Sequence, residues 1–465
     1  MPLGYRKGSV AGARLLPGLL LPGLLLPALL LIASCKMLVP PATPDSSLRV
    51  AIVDVTIVDV VAGSVLPHGT VVVADGHITA VGDSARVGVP HDARVVDGRG
   101  RFLIPGLWDM HSHSLWSPEA MRTFLPLYVA NGVTGIRDMG GHLDVLATAR
   151  AAQRQGKVAY PRIVAAGMIL DGPEPVQADV SIAVADAAAA RTTVDSLAHD
   201  GVDFIKVYTL LPRDAYFAVI EEARRLGLPV AGHVPAAVTI EEAARAGQRS
   251  IEHLHDELEP LCTPQGVVQC RRLAAVFRQY HTWQVPTLVA LRKGFFDDEA
   301  IVRDPRLRYI PRGLREDWLA ERAARIGRGA EHLAGKRRRY ADEEWLAGFL
   351  AREHVGLLAG TDAGTAFCYP GFSLHDELGR LVQAGLSPLD ALRTATLAPA
   401  EFLGKRDSMG AIAVGQDADL VLLRSNPLAD IAATREIDAV LLRGRVLDRR
   451  DLDALLATVA GAVEK

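Results

Sequence analysis

A chain of 465 residues with a formal charge of −3 has ample material for a large core, and its acidic and basic residues are too dispersed to form a nucleic-acid footprint. Four cysteines, none in the paired spacing of a thiolate zinc site, exclude a disulfide framework, so any metal has to be held by nitrogen and oxygen. The default partner is a small molecule or a dipeptide.

Arg6, Lys7 and Arg14 precede the apolar run "LLPGLLLPGLLLPALLLI" at residues 15–32, and "ASC" follows it. A basic head, an apolar middle and small residues at the end describe an export signal over residues 1–35. The stretch "LIASC" resembles a bacterial lipobox, in which Cys35 becomes the lipid-bearing first residue of the mature protein. An uncleaved anchor helix is the competing reading, because residues 15–32 approach a spanning length; Pro17, Pro22 and Pro27 weaken it. Both readings expect a membrane tether outside the cytoplasm, with residues 36–48 as linker.

Residues 49–106 hold β-branched runs such as "VAIVDVTIVDV" and "GTVVVADGHITAVG", broken by Gly and Asp. The same texture returns over residues 406–448, so the two ends are expected to build one small antiparallel β-sandwich domain, followed by a tail at 449–465. Between them, residues 107–405 alternate. Apolar strand candidates end near His111 and recur as "VTGIRDM", "PRIVAAG", "DFIKVY", "PVAGHV", "SIEH", "TWQVPTL" and "VGLLAGTD", separated by helical stretches. That alternation predicts an α/β fold, a (β/α)₈ TIM barrel, with a doubly wound open sheet as the alternative.

In a barrel the strand C-termini converge on one mouth. His111 and His113 in "GLWDMHSHSLW" close the first strand two residues apart, where alternation turns both to one side. Lys206, His233, His253 and Asp362 close later apolar runs. A lone histidine there is an ordinary rim residue; six ligand-competent groups together suggest a metal centre. A buried lysine facing such a cluster would be repelled as a cation. Either it pairs with Asp362, or its neutral amine reacts with carbon dioxide to give an anionic carbamate able to bridge two metals.

The set "DMHSH", "FIKVY", "GHV", "SIEH" and "AGTDAG", with the closing "GQDADLVLLRSNPL", resembles the amidohydrolase superfamily, and within it the imidazolonepropionase-like group that includes metal-dependent Xaa-Pro dipeptidases. The resemblance runs from about Arg49 to Leu447. It implies one metal on His111, His113, carboxylated Lys206 and Asp362, and a second on Lys206, His233 and His253. Two divalent ions, zinc foremost with manganese or iron as alternatives, would share a bridging hydroxide that attacks an amide carbonyl, with Asp362 as proton carrier. Many dipeptidase-like relatives carry a second histidine where this chain has Pro235, which sets the superfamily more firmly than the dipeptidase activity.

By comparison, Tyr208, Arg137 and His142 are candidate substrate contacts, Arg137 having Asp138 as its other expected partner. His375 is read as a buttress of the Asp362 loop. The charged segment 293–344 is either a lid over the mouth or a solvated helical insertion. Cys262 and Cys270 either pair, as export would allow, or remain thiols. The alternatives to an amide or peptide hydrolase are a cyclic-amide hydrolase or deaminase of the same superfamily, and a membrane-anchored barrel without turnover.

Overall fold

The computed structural model describes residues 49–464 apart from 157, 255–257, 259 and 260. Five strands open the fold: β1 (Val50–Asp59), β2 (Ser64–Ala74), β3 (His77–Asp83), β4 (Arg94–Asp97) and β5 (Phe102–Pro105). β1, β2 and β3 pair antiparallel through short turns, whereas β4 and β5 return parallel along β1. Bulges flank Val55, and Asp54 sits at φ 55°, so β1 bends. Its first half therefore pairs with β4 and its second half with β5.

Nine short strands follow: β6 (Leu107–Ser112), β7 (Val133–Asp138), β8 (Arg162–Ala165), β9 (Ile169–Asp171), β10 (Ser181–Ala183), β11 (Ile205–Val207), β12 (Val230–Gly232), β13 (Ser250–Glu252) and β14 (Trp283–Val285). All pair in parallel, in two sheets ordered β6-β7-β8 and β10-β9-β11-β12-β13-β14. Most of their residues are buried, as expected when helices cover parallel strands, whereas β8 and β10 are largely half-buried. The helix Arg213–Arg225, for example, turns Ala215, Tyr216, Val219 and Ala223 inward, at helical spacing.

Segment 356–363 forms only isolated bridges yet bonds to both sheets. Leu358 N donates to Gln284 O at 3.0 Å on the β14 side, and Met110 N donates to Ala359 O at 2.9 Å on the β6 side. Across the other flank, Asp203 N donates to Ala165 O at 2.9 Å, joining the end of β8 to the entry of β11. Main-chain bonds thus link the two parallel sheets on both sides.

The chain ends with β15 (Leu420–Leu423), β16 (Ile437–Leu442) and β17 (Arg445–Asp448), then a helix, Arg449–Val463. β15 pairs antiparallel with β5, so both chain ends share one sheet in the order β17-β16-β15-β5-β1-β2-β3, with β4 on β1. It encloses its own core of Ile52, Val55, Val71, Leu103, Leu420 and Leu441. The sheet is not purely antiparallel as expected but mixed, because β4 and β5 run parallel to β1. Residues 449–463, expected as a tail, form a helix: Asp448 starts it with a capping box, and Val459 and Val463 pack with Leu127 and Tyr309.

Within the 293–344 insertion, the helix Arg312–Ile326 buries Trp318, whose ring lies 5.6 Å from both Phe367 and Tyr369 in the loop after Asp362. Cys262 and Cys270 form a disulfide in the connection after β13. Among the described residues no helix is long and apolar enough to cross a membrane; the run 15–32 and Cys35 lie outside them.

Candidate metal centre

His111 and His113 stand at the end of β6 and just beyond it, Lys206 on β11, His233 after β12, His253 after β13, and Asp362 at the end of the linking segment. Parallel strands put all six at one end of the sheets. The imidazole centroids run in series: His113 to His111 at 5.4 Å, His111 to His253 at 4.5 Å, and His253 to His233 at 5.1 Å. Oδ1 of Asp362 lies 3.3 Å from Nε2 of both His111 and His113, and ligand atoms of these three residues fall within 4.8 Å of one another. Glycine permits the crowding, since a Cβ at Gly232 would stand 2.1 Å from Val207 O and 3.1 Å from Lys206 Cδ. His253, Thr287 and Asp362 adopt φ of 76°, 50° and 57°, a left-handed backbone that non-glycine residues hold only where the surroundings impose it.

Each imidazole turns Nδ1 away from the cluster to a fixed neighbour. His111 Nδ1 meets Glu252 Oε2 at 2.7 Å, His113 Nδ1 meets Gly140 O at 3.3 Å, His233 Nδ1 meets Thr209 Oγ1 at 2.9 Å, and His253 Nδ1 meets Thr287 Oγ1 at 2.7 Å. That is how ligating histidines are oriented, with the outer nitrogen engaged and Nε2 presented inward. Nε2 of His111 is buried with no hydrogen-bond partner among the described residues. Nitrogen donors with one carboxylate fit a first-row divalent cation.

Burial pushes the Lys206 ammonium down to about 8, against the opposing pull of Glu252 and Asp362. Asp362 goes the other way: burial would raise it, but the imidazoles of His111 and His113, each 3.3 Å away, hold it well below the usual carboxylate range. Asp109, pushed up to about 7 by burial, is structural; it accepts from Thr361 N at 3.0 Å and Thr361 Oγ1 at 2.6 Å, clipping β6 to the segment bearing Asp362.

A match to the amidohydrolase family spans residues 102–447. The chain belongs to the amidohydrolase family. It is a hydrolase of carbon–nitrogen bonds, in a family that is usually metal-dependent. It is 25% identical over 408 residues to an imidazolonepropionase of Symbiobacterium thermophilum, covering 77% of this chain and 84% of the relative. Among solved structures it resembles the bottromycin amidohydrolase AH, with 27% identity, a TM-score of 0.71, and 91% of this chain and 94% of that one covered. A Xaa-Pro dipeptidase with bound methionine shares the fold, with 22% identity, a TM-score of 0.66, and 86% and 100% coverage.

In this amidohydrolase Arg137 departs from expectation. It is 1% exposed and faces neither solvent nor Asp138; its Nη2 donates to both oxygens of Glu252 at 3.0 Å. Neighbouring strand residues point to opposite faces, so Asp138 turns instead to Ser114 N at 2.6 Å and Leu115 N at 3.2 Å. Tyr208 stacks on His233 with centroids 4.1 Å apart and stays half-exposed at the rim. His142 is half-buried at the start of the helix Leu143–Arg154, where its side chain forms no cap bond. His375 does not brace the Asp362 loop: it bridges Thr434 Oγ1 at 2.9 Å and Asn131 O at 3.0 Å. Glu252 was missed. Its signal was the one that singled out Lys206, a charge inside a buried strand, overshadowed by the adjacent His253.

Proposed function

We propose that this amidohydrolase is a binuclear metal-dependent hydrolase cleaving the C–N bond of a small carboxylate-bearing amide, a dipeptide or an N-acyl amino acid. The observation that carries the reading is the convergence of four imidazoles, each with Nδ1 engaged outward, around a buried lysine and a carboxylate. The same proposal reads the two parallel sheets as one (β/α)₈ barrel, with segment 356–362 as its eighth strand; the bonds from that segment to β14 and β6 support it.

In this reading His111, His113, Lys206 and Asp362 hold one cation, and Lys206, His233 and His253 the other. Zinc suits the set, as do manganese and iron. The depressed lysine supports carboxylation: neutral Nζ adds carbon dioxide, an N–C bond forms, one proton leaves to solvent, and the N6-carboxylate offers two oxygens. Divalent cations there supply a water nucleophile at neutral pH and Lewis-acid polarisation of the scissile carbonyl. Asp362 takes the proton from the attacking water and delivers it to the departing nitrogen. Tyr208, beside His233, orients the substrate's carbonyl or carboxylate. The insertion packed on the loop after Asp362 narrows access and favours small substrates. Export with lipid attachment at Cys35 belongs to the same proposal; the Cys262–Cys270 bond supports an oxidising compartment.

The imidazolonepropionase relative favours a second reading, a cyclic-amide hydrolase. A comparison of a hydrophobic dipeptide, its C-terminal amide, a longer peptide with the same start and a cyclic amide separates the two. The dipeptide is expected to lead in kcat/KM by at least about tenfold, the worth of one charge-assisted contact. Comparable values for the first three would remove carboxylate recognition, and activity on cyclic amides alone would establish the second reading.

A further inference from the structure

We infer that Glu252 and Arg137 form a buried positioning pair that fixes His111 for its cation, an inference that rests on the metal-centre reading above. Neither residue can meet substrate: Arg137 is 1% exposed and Glu252 is 3% exposed. Every acceptor site of the carboxylate is turned to a purpose. Oε1 accepts from Ser250 Oγ at 2.5 Å and Arg137 Nη2 at 3.0 Å, while Oε2 accepts from Arg137 Nη2 at 3.0 Å and faces His111 Nδ1 at 2.7 Å.

The chemistry of that last contact decides the tautomer. An ionised carboxylate only accepts, so the imidazole proton sits on Nδ1, and the lone pair of Nε2 is left facing Asp362. Arg137 keeps the carboxylate where it is. Its guanidinium cannot lose its proton, and its Nη2 reaches both oxygens at 3.0 Å, which stops Glu252 from rotating inward and competing as a ligand itself. The guanidinium is in turn held by Met110 O, 2.6 Å from Nε, and by Ser250 Oγ, 2.9 Å from Nη1. The rings of Phe402 and Phe204 lie 5.0 Å and 5.6 Å from it. A lysine at 137 would be a single point charge without the further N–H groups that hold Met110 O and Ser250 Oγ.

The test replaces the pair as a unit, so that no lone charge is left buried. Purified apo forms of the wild type, R137M/E252L and R137M/E252Q are compared in zinc affinity by chelator competition and in melting temperature. The R137M/E252L form is expected to melt near the wild type but to bind its first zinc about 10- to 100-fold more weakly. The R137M/E252Q form, whose amide oxygen can still accept from Nδ1–H, is expected to recover most of that affinity. Nitrogen-15 histidine spectra of the wild type, assigned with His111→Asn, should show His111 protonated on Nδ1. This last measurement decides alone if both double variants fail to fold. Unchanged zinc affinity in R137M/E252L, or an Nε2–H tautomer in the wild type, overturns the positioning role. A wild-type chain that takes up no zinc overturns the metal-centre reading and this inference with it.

Discussion

A lysine only 1% exposed, set among imidazoles, is unfavourable as a cation and useful as an anion. If Lys206 bridges two cations, Lys206→Ala should lose at least one metal per chain together with most activity, and short carboxylic acids should partly restore both; metal analysis showing full occupancy in the variant would end the bridging role. Asp362 is asked to carry a proton as well as to bind. Asp362→Asn should therefore lower kcat by about 10²- to 10⁴-fold with a much smaller change in KM, and steady-state kinetics with an unchanged kcat would take Asp362 out of the proton path. These residues were legible because each ends an apolar run where a polar side chain needs a reason. The pairing of Arg137 was not, since its true partner, Glu252, lies 115 positions further along the chain and meets it only through the sheet.

Between elements, His375 ties the helix Phe372–Gln383 to the 3₁₀ turn at Thr434 and to the end of the helix Pro118–Ala130. Burial pushes its imidazole down to about 4 from an ordinary 6.5, with the Arg435 charge adding to the effect. The unfolded chain therefore binds a proton that the folded chain does not between those values. The corresponding stability is fully present above pH 6.5 and drains away as pH falls toward 4, about 2 kcal/mol by pH 4.5. Urea unfolding at pH 7 and pH 4.5 should show that loss, and His375→Gln should reduce it; an equal loss in the variant would assign the acid sensitivity elsewhere. The alternating pattern located seven of the strands that bear or flank the site, because buried parallel strands are continuous apolar runs. It missed β9, which follows β8 with no helix between them, and β10, whose residues are only partly buried, and it took the last helix for a tail, since an Ala-rich amphipathic stretch declares nothing about what it packs on.

For the molecule as a whole, attachment at Cys35 is a proposal with a direct measurement. Cys35→Ala should leave an unprocessed precursor or a soluble form, whereas the parent partitions into detergent; an intact mass beginning at Met1 in membrane extracts would support the uncleaved anchor. Stable attachment calls for more than one acyl chain. Another consequence concerns synthesis. The strand β5 finds β15 only when residues 420–423 have been made, and the Arg101–Asp438 ion pair spans 337 positions. A nascent or prematurely terminated polypeptide would thus leave "FLIP" at 102–105 as an open, apolar strand edge, the kind of template on which other chains add. Synthesis through residue 423 is what shields that edge, so stop codons placed between Asp362 and Leu420 should yield insoluble chains even though every metal-cluster side chain is already present.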